Sequence, residues 1–213
     1  MAKSKQKYYV VWKGNNPGIY DNWPDCKKQI DGYTGAIFKS FTNSKIATEA
    51  FANNPEKYIG DNYIEPTMLE KYKNANIGFP IQKSISVDAA CAGNPGILEY
   101  QGVDTRTKKK LFHQGPFPKG TVNIGEFLAL VHGLAYLKQQ NSNIPIYSDS
   151  KTAIAWVRRK AINTKLERNK QTEALFKLVD RAIFWLKNNN FDNKILKWET
   201  AYWGEIPADF GRK

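Results

Sequence analysis

Five carboxylates are placed where they could do chemistry together. Across residues 84–96, SISVDAACAGNPG, the apolar Ile85 and Val87 alternate with their neighbours, which predicts a strand with one buried face. Val87 is expected to point into a core and Asp88 to point the other way. Taken alone, Asp88 reads as a solvated edge acid; a ligand role requires other acids to converge on it, because a half-buried carboxylate without a partner is costly. The rest of the chain supplies candidates. Glu126 is expected in the first turn of an apolar helix, and Asp149 at the tip of a strand just before a helix cap at Ser150. Glu205 and Asp209 are four residues apart and are expected to share one face of a terminal helix. Crowded together without matching Lys or Arg, such acids would repel and shift one another's pKa. Bound cations relieve that repulsion, and hard oxygen ligands select Mg²⁺, with Mn²⁺ as a substitute. Two such ions about 3.5–4 Å apart can activate a water and stabilise a leaving oxygen in a displacement at phosphorus.

Composition narrows the partners. The chain has 213 residues, 41% hydrophobic and 24% charged, which suits one or two domains with cores. A net charge of +12 favours a polyanion over a membrane surface, because each neutralised phosphate releases counterions. No apolar run approaches the roughly 18 residues of a membrane span, and the start, MAKSKQKYYVVWKG, lacks the apolar segment and cleavage site of a signal peptide. Cys26 and Cys91 are far apart, so neither a disulfide framework nor a cysteine zinc site is expected. The expectation is a cytoplasmic monomer with no obligate protein partner.

The elements that must position these groups follow from periodicity. Residues 8–12, 19–20 and 36–41 read as strands rich in aromatic and β-branched residues, with short helices at 22–30 and 43–51. Residues 53–80 carry prolines, asparagines and no sustained periodicity; they read as a tether, with a brief helix at 67–75. Beyond it, strands at 84–91, 97–103 and 109–115 make an antiparallel meander. The helix beginning near Thr121 or Asn123, the strand 143–148, helices 151–160 and 168–188, and a last strand 194–200 complete the domain. The order is that of an α/β domain with a mixed sheet covered by helices. The expected division is 1–52, a linker at 53–80, and 81–213. His132, midway along the apolar helix, reads as structural.

The local sequences then carry a resemblance. DAACAGNPG, NIGEFLAL, IYSDSKTAI and WGEIPADFGR match, in order, the four acidic motifs of type 1 ribonuclease H, and YVVWKG with PGIY, NW with C, and GAIFKSF resemble the hybrid-binding (viroplasmin-like) domain at the amino end of such proteins, bacterial ones included. The resemblance covers nearly the whole chain apart from the tether. It implies a ribonuclease H-like mixed five-stranded sheet, three strands antiparallel and then parallel, beside a small α+β hybrid-binding domain. It also implies an endoribonuclease that cuts the RNA strand of RNA/DNA hybrids with two Mg²⁺ ions, leaving 5′-phosphate and 3′-hydroxyl ends. Asp88 would bridge both ions, Asp209 would complete the site of the attacking water, and Glu126 with Asp149 would hold the other ion. Glu205 is similar to an outer acid that aids metal exchange or product release.

By the same resemblance, Ala90, Cys91, Gly93, Asn94 and Glu126 would read the RNA strand and its 2′-hydroxyls. Thr121, Asn123 and Thr164 resemble a phosphate pocket for the DNA strand, with Trp156 against a deoxyribose and Lys151 near phosphate. In the amino-terminal module, Tyr9, Trp23 and Phe38 would stack on the hybrid, with Lys39 contacting a strand. Tyr9 and Phe38 read equally well as core strand residues, and Trp156 as core. The chain departs from the pattern at Ser40, where a second lysine is common, and at Val122 and Lys151, where relatives carry Asn and Gln. It also has no His before WGEIPADFG, a duty that Glu205 could take over. Two other classes stay open: a hybrid- or double-stranded-RNA-binding protein with a decayed catalytic domain, and a transposase- or resolvase-like enzyme. The intact acids speak against the first, and the hybrid-binding module against the second.

Overall fold

The computed structural model describes residues 6–60, 63, 65, 69–70, 72–73, 75 and 77–211. Two compact units emerge, Met1–Gly78 and Phe79–Lys213. The helix expected over 67–75 lies partly outside the described residues.

In the first unit, β1 (Tyr8–Lys13) is flanked by β2 (Gly18–Tyr20) and β3 (Ile37–Phe41), both antiparallel to it. Helix α1 (Trp23–Ile30) starts where Asn22 accepts a hydrogen bond from the Asp25 N–H, as an N-cap should. Helix α2 (Ser44–Phe51) is capped in the same way by Asn43. One face of the sheet buries Val10 and Phe41 against Ala47, Ala50 and Tyr58. Tyr58 belongs to the segment expected as a tether. Its ring stacks on Trp12 at 6.1 Å, and nearby Glu65 accepts from the Thr42 N–H at 2.9 Å. Aromatic area and a satisfied carboxylate thus draw residues past 52 onto the small core, which extends beyond the expected boundary.

The second unit is built on a five-stranded sheet. Strands β4 (Ile85–Gly93), β5 (Gly96–Asp104) and β6 (Lys110–Gly120) form the antiparallel meander, and β7 (Ile146–Ser148) and β8 (Ile195–Lys197) add parallel on the other side of β4. The spatial order is β6-β5-β4-β7-β8, the ribonuclease H-like sheet expected from the motifs. β6 runs five residues further than expected, and its register with β5 shifts at three places. Pro116 sits in that irregular stretch, where a missing N–H costs no ladder bond. Gly96 is required at the β4–β5 turn, since a Cβ there would come 1.9 Å from the Ala92 carbonyl oxygen.

Helix α3 (Val122–Gln139) is buried on nearly every side and lies against β4 and β5. Phe127, Leu130 and Leu134 are fully buried in it, each burial stabilising by about 1.5–3 kcal/mol. Helix α4 (Lys151–Arg159) opens with the Ser150 side chain accepting from the Ala153 N–H, the cap expected from the sequence. Helix α5 (Glu173–Asn188) begins five residues later than the apolar spacing predicts. Thr172 donates to the Glu167 carbonyl at 2.8 Å and accepts from the Asn169 N–H, while Arg168 bonds Glu173 and Asp180, so this stretch closes a loop instead. The last helix, α6 (Thr200–Trp203), is one turn long. Among the described residues no helix is long and apolar enough to cross a membrane.

Candidate active site

Three of the expected acids meet. One carboxylate oxygen each from Asp88, Glu126 and Asp149 lie within 4.8 Å of one another. They come from the middle of β4, from α3 and from the tip of β7, so only the folded sheet brings them together. Val87 is fully buried in the core while Asp88, its neighbour, faces the cluster, as strand alternation requires. Glu126 is not in the first turn of its helix. The helix starts at Val122, making Glu126 its fifth residue, and an acid is absent from the first turn. The N–H of Val122, one of the orphan donors of that first turn, is met by the Asn94 side-chain oxygen at 3.3 Å.

Burial and mutual repulsion strain the cluster electrostatically. Burial, then the charge of Asp149, pushes Asp88 up to about 8. Burial also lifts Glu126 to about 7, with Asp149 adding to the rise and a hydrogen bond to Ser150 opposing it. Asp149 is raised by burial, against the pull of Lys197. Its Oδ1 atom is buried without a hydrogen-bond partner. A hard divalent cation fits this donor set: three carboxylates converge, and one buried oxygen lacks the partner that such atoms nearly always have.

Lys197 was not among the expected site residues, and the acids are therefore not wholly without a basic neighbour. It is paired in register with Ser148, one residue before Asp149, and its charge lowers the pKa of both Glu126 and Asp149. Its Nζ also donates to the Trp198 carbonyl. The alternation of KILKWET places Lys197 on one face with Ile195, but only the pairing of β8 with β7 identifies its acidic neighbours.

Glu205 and Asp209 do not share a helix face. Gly204, at φ +77°, ends α6, and Pro207 cannot supply an N–H for a continuing helix, so both acids lie on an irregular segment. Asp209 stands outside the three-acid group, yet its charge raises Asp88 and Asp149, and that of Glu205 raises Asp149. The Asp209 N–H donates to the Ile206 carbonyl at 2.8 Å, and its Oδ2 accepts from the Gly211 N–H at 2.8 Å.

The expected nucleic-acid contacts divide. Asn94, Thr121, Asn123, Trp156 and Thr164 line one cleft of about 510 Å³, together with Lys119 and Lys165. Trp156 is 4% exposed and packs edge-on to Phe127, so it belongs to the core and offers the cleft only part of its ring. Ala90, Cys91 and Gly93 lie along the end of β4, with the Cys91 thiol donating to the Gly120 carbonyl. Lys151 is exposed as the first residue of α4, outside the lining of that cleft. His132 is structural: its ring stacks on Phe112 at 4.0 Å and meets Tyr100 edge-on.

In the first unit, Tyr9, Trp23 and Phe38 form a connected aromatic patch, with centroids 5.5 and 6.0 Å apart. Trp23 is 43% and Phe38 40% exposed, so neither is a core ring. Lys39 follows Phe38 in β3 and therefore faces the other way. It donates to the Tyr58 carbonyl and lies over the Tyr63 ring at 4.7 Å, and burial lowers its pKa.

Sheet order and acid cluster together define a ribonuclease H-like fold in the second unit. A family model described as the ribonuclease H1 N-terminal domain matches residues 7–51, and the chain resembles the type 1 ribonucleases H that carry this domain. Ribonuclease H of Saccharomyces cerevisiae is 48% identical over 48 residues, 22% of this chain and 14% of that protein. Ribonuclease H of Schizosaccharomyces pombe is 34% identical over 58 residues, 27% of this chain and 22% of that protein. The matched stretch thus spans less than a quarter of either relative. Among solved structures, RNase H1 of the halophilic archaeon Halobacterium salinarum NRC-1 is 20% identical, covering 55% of this chain and 86% of its own, with a TM-score of 0.37. LC11-RNase H1 in complex with RNA/DNA hybrid is 16% identical, covering 54% of this chain and 82% of its own, with a TM-score of 0.33.

Proposed function

We propose that this chain is an endoribonuclease that hydrolyses the RNA strand of RNA/DNA hybrids with two divalent ions, leaving 5′-phosphate and 3′-hydroxyl ends. The observation that carries the reading is the convergence of Asp88, Glu126 and Asp149 within 4.8 Å, with Asp149 Oδ1 unpartnered. Asp88, Glu126, Asp149 and Asp209 would hold the ions, with Mg²⁺ preferred and Mn²⁺ able to replace it. When bound, such ions activate the attacking water and stabilise the departing 3′ oxygen.

The chain's own residues prepare that site. Ser150, hydrogen-bonded to Glu126, and Lys197, near Glu126 and Asp149, favour the ionised carboxylates against the burial that protonates them. Asn94, pinned to the start of α3, stands at the mouth of the cleft where a ribose hydroxyl of the RNA strand would be sensed. Thr121, Asn123 and Thr164, with Lys119 and Lys165, offer hydroxyl, amide and cationic donors suited to a phosphate of the DNA strand. The Tyr9, Trp23 and Phe38 patch would stack on the same duplex, so the first unit raises the local concentration of substrate for the second. Glu205 would assist metal exchange or product release. A cytoplasmic location is part of this proposal, two free cysteines suiting a reducing compartment, and so is a monomeric chain.

The experiment is cleavage of labelled RNA/DNA hybrid, duplex DNA and duplex RNA, each in Mg²⁺ and in EDTA. Cutting of the hybrid alone, only with metal and lost in Asp149→Asn with hybrid binding retained, is the expected result. Binding without cutting would make the chain a hybrid-binding protein, and cutting of duplex DNA would place it with the strand-transfer enzymes.

A further inference from the structure

The fourth acid, Asp209, has no helix to aim it. Its support comes from the neighbouring strands. Asp88 in β4 pairs with Gln101 in β5, and Gln101 pairs with His113 in β6, so the three side chains stand in a row on one face of the sheet. Gln101 is 8% exposed, and its Nε2 donates to the Ala208 carbonyl at 2.7 Å, across 107 residues of sequence. Glu99, two positions along the same face, bonds His113 Nε2 at 2.8 Å, and the His113 ring lies 6.1 Å from that of Phe210. The row therefore engages the residues immediately before and after Asp209, and Glu99, Gln101, His113, Asp209 and Phe210 border one cavity of about 540 Å³.

We propose that Gln101, backed by the Glu99–His113 pair, is a positioning residue that holds the carboxy-terminal turn so that Asp209 faces Asp88 and Asp149. The inference rests on the metal-dependent reading above. Gln101 acts through the Ala208 backbone rather than on reacting atoms. A displacement of about 1 Å in a supporting group can cost on the order of a hundredfold in rate, so a single buried amide is enough to matter.

The test uses the full chain with Gln101→Met, which keeps the length and removes the donor. The Mg²⁺ concentration for half-maximal cleavage is expected to rise about tenfold, and Mn²⁺ affinity, read from the free-ion EPR signal, to fall by a similar factor, while KM for the hybrid is unchanged. Because the effect runs through Asp209, Gln101→Met added to Asp209→Asn should weaken Mn²⁺ binding no further. His113→Gln, which keeps a donor for Glu99 and removes the ring beside Phe210, covers the case in which Gln101→Met does not fold. It should shift the metal requirement in the same direction. Unchanged Mn²⁺ affinity in the folded variants, or a full additive loss on top of Asp209→Asn, overturns the positioning role. A wild-type chain that cuts no hybrid at any Mg²⁺ concentration overturns the nuclease reading instead.

Discussion

Replacing Asp88 by Asn should stabilise the metal-free chain while removing its capacity to hold cations. In the folded state burial, and then the charge of Asp149, push the Asp88 carboxyl up to about 8 from its ordinary 3.8. An acid whose folded pKa is raised contributes stability that is full below the unfolded value and lost as pH climbs through the folded one. Between pH 3.8 and 8 the unfolded chain releases a proton that the folded chain keeps, and stability falls accordingly. At pH 7 the loss reaches a ceiling on the order of 4 kcal/mol, at 1.36 kcal/mol per pH unit; at pH 5 it is under about 2 kcal/mol. Water and salt in the cleft screen part of this. The isosteric amide carries no charge and escapes the penalty. Thermal unfolding in EDTA should therefore show Asp88→Asn melting above wild type by up to roughly 10 °C at pH 7 and by much less at pH 5. Added Mg²⁺ should raise the wild-type midpoint and leave the variant's in place. A variant less stable than wild type at pH 7 in EDTA, or a gain of equal size at both pH values, would refute the account of a charge-strained cluster.

Other perturbations separate binding from folding. Trp23→Ala removes a half-exposed ring, so it should weaken hybrid binding by about 1–3 kcal/mol in an anisotropy titration with little change in melting temperature. Phe41→Ala, at a 1% exposed core position, should do the opposite and cost about 3–5 kcal/mol of stability in the first unit. Gly96→Ala would drive a methyl into the Ala92 carbonyl at 1.9 Å; the turn must open, costing about 1–3 kcal/mol. Since Asn94 belongs to that turn and meets the Val122 N–H, KM for the hybrid should rise in steady-state cleavage.

Much of the cluster was legible because its signals are local. Alternation at Ile85 and Val87 oriented Asp88, Ser150 marked the helix after Asp149, and the apolar run after Glu126 could only be a buried helix. What escaped depends on distant partners. Lys197 enters the site only because β8 pairs with β7, and Gln101 reaches a carbonyl 107 residues away. The placement of the carboxy-terminal acids escapes the sequence for a different reason. Four-residue spacing suits one helix face, but the Gly204 turn and Pro207 end the helix before either acid. Lys39 shows the same limit in the first unit: its neighbour Phe38 is exposed, so strand alternation turns the lysine toward Tyr58 and Tyr63.

Anomalous scattering from crystals of the wild-type chain with Mn²⁺ and a non-hydrolysable hybrid is the measurement that bears on the central claim with the fewest intervening steps. Two peaks about 3.5–4 Å apart, both touching Asp88, are the expected result. Density for manganese elsewhere on the chain, with none reaching Asp88, Glu126 and Asp149 jointly, would contradict it.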